Sequence, residues 1–188
     1  DVCSSDLHGI SCKINSVAMA DVHGDDHLFE HIAWAHGLGL PISLIETMPM
    51  GEVGTDRRDQ FLSLATVRKR LEGRWTLTPL TLRTPGPARY VRVEETGGII
   101  GFITPLSDHF CDSCNRVRLT ATGKLYMCLG QEDSADLKAA MRAHPDDDTA
   151  VDAAIRAAIA RKPKGHDFVA ALAAGHAAVS RTMSLTGG

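Results

Sequence analysis

Residues 11–48, SCKINSVAMADVHGDDHLFEHIAWAHGLGLPISLIETM, decide the fold. Residues 11–19 read as a strand, with Ile14, Val17 and Ala18 set among the polar Lys13 and Asn15. A helix follows from Asp25 or Asp26 as N-cap to His36, closed by Gly37 and Gly39. Residues 41–48 form a second strand. Strand, helix and strand at this spacing make a βαβ unit, which implies a parallel sheet and a right-handed crossover. Two strands do not complete such a sheet, so further strands are expected upstream. Residues 1–7, DVCSSDL, do not supply them: they read as a translated sequencing adapter joined in frame, are set aside from the fold, and leave Cys3 without a ligand role.

Within the first strand, Lys13 and Asn15 share parity. Polar residues of one parity in an apolar strand either line a site or snorkel at the strand end. Cys12 has the opposite parity and is expected to pack outward against helices as a small hydrophobe. His23, His27 and His31 recur at i, i+4, i+8, but nothing completes a metal set with them, and a polar helix face is the simpler reading.

Beyond a polar loop over residues 51–59, helical periodicity marks 61–71 through Phe61, Leu64, Ala65 and Leu71. Short strands then follow at 75–82, 90–94 and 99–104, punctuated by Pro85-Gly86-Pro87 and Gly97-Gly98. A hairpin is predicted from 117–120 and 124–129 around Ala121-Thr122-Gly123. The remainder is helical, at 136–144 and 148–161, acidic at the start and basic at the end as the helix dipole favours. Asp146-Asp147-Asp148 read as capping rather than as a cation site.

Composition narrows the function classes. The 188 residues carry a net charge of −3 and a pI near 6.3, which is no electrostatic footprint for nucleic acid. Hydrophobic residues make up 44% and aromatic ones 5%, so aliphatic side chains must fill the core. The longest apolar run, 168–179, is broken by Gly175 and His176 and is too short for a bilayer. Five cysteines, three of them clustered, fit a reducing cytoplasm better than a disulfide scaffold.

Those three are Cys111 and Cys114, a CxxC pair, and Cys128 after a thirteen-residue gap. Thiolates so spaced select zinc or an iron–sulfur cluster. In extended chain Cys114, Arg116 and Arg118 share a face. A three-residue turn at 121–123 pairs Arg118 with Tyr126 and Arg116 with Cys128, putting Cys128 on that face; a two-residue turn would turn it away. Guanidinium forks beside thiolates suit phosphate oxygens. Two readings stand: a structural zinc site of the three cysteines with His109, or a cluster with one iron free of protein ligands.

The run GFITPLSDHFCDSCNRVRLTATGKL at 101–125 closely resembles the C-terminal cluster motif of the GTP 3′,8-cyclase family. These are radical S-adenosylmethionine enzymes that begin molybdenum cofactor biosynthesis, also called molybdenum cofactor biosynthesis protein A. KINSV at 13–17, LIETMP at 44–49, RKPKGH at 161–166 and MSLTGG at 183–188 match in family order. The resemblance implies α/β plus α+β architecture: the C-terminal part of an incomplete (β/α) TIM-type barrel at 8–58, then a cluster-binding domain of short antiparallel strands and helices at 59–188. It implies a [4Fe–4S] cluster on Cys111, Cys114 and Cys128 whose free iron holds the guanine of GTP. Arg116, Arg118 and the Val117 backbone would bind GTP, Lys13 would meet the substrate from the barrel, and Met48 would touch S-adenosylmethionine. The tail Gly187-Gly188 would reach the active site.

The activity so implied is conversion of GTP to 3′,8-cyclo-7,8-dihydro-GTP, with cyclic pyranopterin monophosphate synthase downstream and either a monomer or a homodimer as the working form. Two departures matter. Ser43 stands where the family has an arginine for the triphosphate, and the chain carries no CxxxCxxC, which holds the family's S-adenosylmethionine-cleaving second [4Fe–4S] cluster. A chain without it is expected to be inactive alone. The competing reading is a non-enzymatic binding module stabilised by a Cys3His zinc site.

Overall fold

The computed structural model describes residues 9–51, 59–108 and 110–186. They fall into two compact units, one of residues 9–48 and 59–108, the other of 49–51 and 110–186. Residues 1–7, His109 and Gly187-Gly188, to which expectations were attached, lie outside the described residues.

The first unit opens with the βαβ pattern. Strand β1 (Ile14–Ala18), helix α1 (Asp25–Gly37) and strand β2 (Ile42–Glu46) follow one another, and β1 runs parallel to β2 in register from Ile14 opposite Ile42 to Ala18 opposite Glu46. The strands are shorter than expected. Cys12 and Lys13 precede β1 and are exposed, so Cys12 does not pack on a helix: the parity is as read, but the ladder begins too late to bury it. The helix starts at Gly24 rather than at an aspartate cap, with Leu28 N–H donating to the Gly24 carbonyl at 3.1 Å. Leu38 caps its far end, and Gly39 beyond it takes a φ of 71°.

Helix α2 (Leu64–Glu72) and strands β3 (Leu77–Pro79), β4 (Arg89–Val93) and β5 (Ile99–Ile103) complete this unit. The sheet order is β1-β2-β5-β4-β3; β5 joins β2 in parallel, while β4 and β3 are antiparallel additions. Residues 59–108 thus belong to the same compact unit as 9–48. The strands after residue 75 extend the first sheet because Val91, Val93, Ile100 and Phe102 turn onto the core already begun by Leu28 and Ile42. The result is a mixed sheet with helices, an α+β unit.

The opposite face of that sheet carries one continuous row, Asn15, Ser43, Gly101 and Tyr90, in register across four strands. A Cβ on Gly101 would stand 2.7 Å from Ser43 Oγ and 2.9 Å from the Tyr90 ring, so this row closes only around glycine. Ser43 is fully buried, and its hydroxyl finds no partner among the described residues.

The second unit centres on a three-stranded antiparallel sheet, β6 (Arg118–Leu119), β7 (Lys124–Tyr126) and β8 (Ser134–Asp136), in that order. Helices α3 (Leu137–Ala143), α4 (Asp148–Ala160) and α5 (Phe168–Ala174) follow. The Asp136 carboxylate accepts from Ala139 N–H and the Asp147 carboxylate from Thr149 N–H, so the acidic run at 146–148 serves as a cap. Leu125, Met127 and Ala158 form a small core with Ala135, Leu137 and Ile155 packed on it. No helix among the described residues is long and apolar enough to cross a membrane.

Candidate functional site

The hairpin of the second unit gathers the chemistry. Thr120 N–H donates to Lys124 O at 2.9 Å and Gly123 N–H to Thr120 O at 3.0 Å, enclosing a three-residue turn whose Gly123 takes a φ of 83°. That is the turn class in which a left-handed glycine closes the loop. It sets Arg118 opposite Tyr126 and Leu119 opposite Leu125, the register that the cysteine spacing requires. The ladder stops there. Arg116 and Cys128, expected as the next pair along, are not joined as strand partners.

On the incoming arm, Cys111–Ser113 form a single 3₁₀ turn, with Cys114 N–H donating to Cys111 O at 3.0 Å. Such a turn points two cysteines three residues apart toward a common side. Cys111, Cys114 and Cys128 are all half-buried free thiols. Burial pushes the Cys128 thiol up first; the Gly130 N–H and the Lys162 ammonium pull it down, and Cys111 and Cys114 raise it again. Cys128 thus feels the other two thiols.

Among the described residues, no three of His, Cys, Asp or Glu stand close enough to hold a single metal ion. Thiolates around one zinc lie roughly 3.8 Å apart, as the 2.3 Å bond and tetrahedral angle dictate. In an iron–sulfur cube each thiolate takes its own iron, so the ligand sulfurs stand further apart.

Positive charge surrounds them. Burial pushes the Arg118 pKa below the usual arginine value, with the Arg116 and Arg181 guanidiniums acting in the same direction and Cys114 opposing them. Arginine does not give up its proton. Arg118 thus stands half-buried beside two like charges, with Cys114 as the group acting the other way. Val117 is exposed between the two arginines. Arg181 itself is buried and stacks its guanidinium 4.2 Å from the Tyr126 ring centre.

Lys13 and Met48 belong to the first unit and lie at opposite ends of its parallel strands. Lys13 just precedes β1, whereas half-buried Met48 follows β2. The length of β1 separates these levels, roughly 16 Å at 3.3 Å per residue. The first unit also holds a side chain that the sequence reading passed over. Glu46 is fully buried, and its Oε1 accepts from Leu64 N–H at 3.0 Å and from the Ser107 hydroxyl. Its Oε2 accepts from Leu106 N–H at 2.9 Å and Ser107 N–H at 3.0 Å. This carboxylate pins the turn by which the chain leaves β5 toward Cys111. A lone acid ending the apolar run Ile-Ser-Leu-Ile was the signal available.

His23 and His31 stack with ring centres 6.1 Å apart, and His23 Nδ1 accepts from Met19 N–H at 3.2 Å. His23 and His31 are thus spent on packing and a backbone bond, and His27 is exposed.

A mixed α+β protein with three thiols and paired guanidiniums on one hairpin is the class that fold and site define. The chain belongs to the Molybdenum Cofactor Synthesis C family, whose model matches residues 40–168. It is 57% identical over 180 residues to the GTP 3′,8-cyclase of Rhizobium meliloti (strain 1021), 96% of this chain and 51% of that protein. The GTP 3′,8-cyclase of Mesorhizobium japonicum is 54% identical over 96% of this chain and 54% of its own length. That of Brucella canis is 55% identical over 96% and 52%. The chain spans about half the length of these curated relatives.

Proposed function

We propose that this chain is the GTP-holding part of a GTP 3′,8-cyclase, which turns GTP into 3′,8-cyclo-7,8-dihydro-GTP in molybdenum cofactor biosynthesis. The observation that carries the reading is the hairpin segment, where half-buried Cys128 feels both Cys111 and Cys114 and half-buried Arg118 neighbours Cys114. Cys111, Cys114 and Cys128 hold a [4Fe–4S] cluster, which when bound supplies an iron without a protein ligand as the seat for guanine. Arg118 and Arg116 bind substrate oxygens by charge-assisted hydrogen bonds, and the Val117 backbone borders the base. The family resemblance further assigns Lys13 to the substrate and Met48 to S-adenosylmethionine. Ser43, buried in its row, adds no charge for the triphosphate. The second cluster and S-adenosylmethionine cleavage belong to the whole protein. It works in the cytoplasm, as a monomer or a homodimer, and passes its product to cyclic pyranopterin monophosphate synthase.

Anaerobic reconstitution of the chain, followed by metal analysis and EPR, tests this. Iron and sulfide in equal amounts, with a spectrum that GTP alters, are expected. Stoichiometric zinc and no effect of GTP would replace the proposal with the Cys3His binding module. Arg118→Met should weaken GTP binding by about tenfold to a hundredfold, the loss of hydrogen bonds to a charged partner.

A further inference from the structure

The hairpin ends where its sequence would let it continue. Hydrogen-bonded pairs alternate along an antiparallel ladder. Starting from the Thr120–Lys124 bond, Arg118–Tyr126 is the next such pair and Arg116–Cys128 the one after. In a continued ladder the carbonyls of Arg116 and Cys128 would accept from each other's N–H. Both are taken by cations instead. Lys162 Nζ, just past α4, donates to Arg116 O and to Met127 O, each at 2.6 Å. Arg181 Nη2 donates to Cys128 O at 3.0 Å, Leu129 O at 2.6 Å and Gln131 O at 2.7 Å. Four of the five carbonyls from 127 to 131 thus end on two side chains.

Stability alone is a poor account of this arrangement. Arg181 is buried, its Nε has no partner among the described residues, and its counter-ion Glu132, at 2.7 Å, is exposed. A buried guanidinium with an unmet donor is a net liability that apolar packing would avoid. What the two cations achieve is geometric. They bind the Arg116 and Cys128 carbonyls at the level where a continued ladder would draw the arms to about 5.5 Å between Cα atoms. They also leave the Cys128 loop with a defined path.

We propose that Lys162 and Arg181 form a two-cation clamp that holds the hairpin open at the level of Arg116 and Cys128, and so positions Cys128 relative to Cys111 and Cys114. Both are positioning residues acting through backbone carbonyls. The clamp rests on the reading of these cysteines as one ligand set. It also makes the segment around Arg181 a condition for the third ligand.

Hydrogen exchange on the full 188-residue chain without metal, read by mass spectrometry, tests the clamp directly. In Lys162→Met and Arg181→Lys, amides 127–131 should exchange about tenfold faster or more, while Leu125 and α4 keep their protection. Lys162→Arg, able to donate to both carbonyls, should restore the protected pattern. After anaerobic reconstitution both clamp variants should give an EPR line shape unlike that of the parent. Unchanged exchange at 127–131 in both variants would overturn the clamp. So would an equal acceleration throughout the second unit, which would mark a general loss of stability. If Arg181→Lys does not fold, Lys162→Met and its arginine rescue decide. If the parent binds no iron, the proposed function falls, and the exchange measurement still judges the clamp.

Discussion

A carboxylate at the end of an apolar strand is tolerable only when its lone pairs are used. Glu46 meets that condition with four donors from two separate segments. Glu46→Ala would strand the buried Leu64 N–H and release those of half-buried Leu106 and exposed Ser107, at about 1–3 kcal/mol. Both tryptophans, Trp34 and Trp75, lie in this unit, and Trp75 packs edge-on to Phe29 at 5.0 Å. Urea unfolding followed by tryptophan fluorescence will therefore report the loss.

Two histidines of the same unit set a pH dependence. Burial pushes the pKa of His36 below its ordinary value, opposed by the Ile99 carbonyl, while its Nδ1 meets the Thr96 hydroxyl at 2.6 Å. Burial likewise lowers that of His23, with His31 and His27 adding to the shift and the Met19 backbone and Asp21 opposing it. The unfolded chain takes up these protons near pH 6.5, before the folded one does. Stability from both groups is thus fully present above that pH and is lost as the pH falls toward the lowered values. The fluorescence midpoint in urea should drop from pH 7.5 to pH 5.5, and His36→Gln should flatten the slope. A midpoint independent of pH in the parent would refute the assignment.

Among the elements, the hairpin separates what local sequence reveals from what it conceals. Its turn length was legible because Gly123 follows Ala121-Thr122 and because the cysteine and arginine parities demand an odd turn. Where the ladder ends was not legible, since Lys162 and Arg181, which terminate it, lie 34 and 53 residues beyond Cys128. Strand β8 was equally hidden: Ser-Ala-Asp has no alternation of its own and is recruited by pairing with β7. A Cβ on Gly123 would also stand 2.6 Å from Lys138 Cβ, so Gly123→Ala should cost at least about 1–2 kcal/mol on thermal unfolding. Deleting Ala121 makes a stronger test. The turn shortens to two residues, the register slips by one and the residues after it face the other way. The variant should fold yet retain little iron after reconstitution; parent-like iron would show that parity does not govern ligand placement.

For the whole chain, the βαβ beginning was readable because capping glycines and apolar periodicity are local. The place of β5 beside β2 was not, because strand order is settled by which apolar faces meet, and residues 47–98 separate the two strands. The same distinction bears on activity. Reductive cleavage of S-adenosylmethionine requires a cluster that presents iron to it, and the family resemblance assigns this to CxxxCxxC. The cysteines here stand at 3, 12, 111, 114 and 128, a spacing that contains no such motif. The proposed single cluster on Cys111, Cys114 and Cys128 faces guanidiniums, which suits an anionic nucleotide rather than a sulfonium cation. The reconstituted chain, given dithionite and S-adenosylmethionine, should therefore form no 5′-deoxyadenosine by chromatography, with or without GTP, even as GTP alters its EPR spectrum. Formation of 5′-deoxyadenosine that GTP suppresses would mean that the three-cysteine cluster itself engages S-adenosylmethionine, and the division of labour proposed for this hairpin would be wrong.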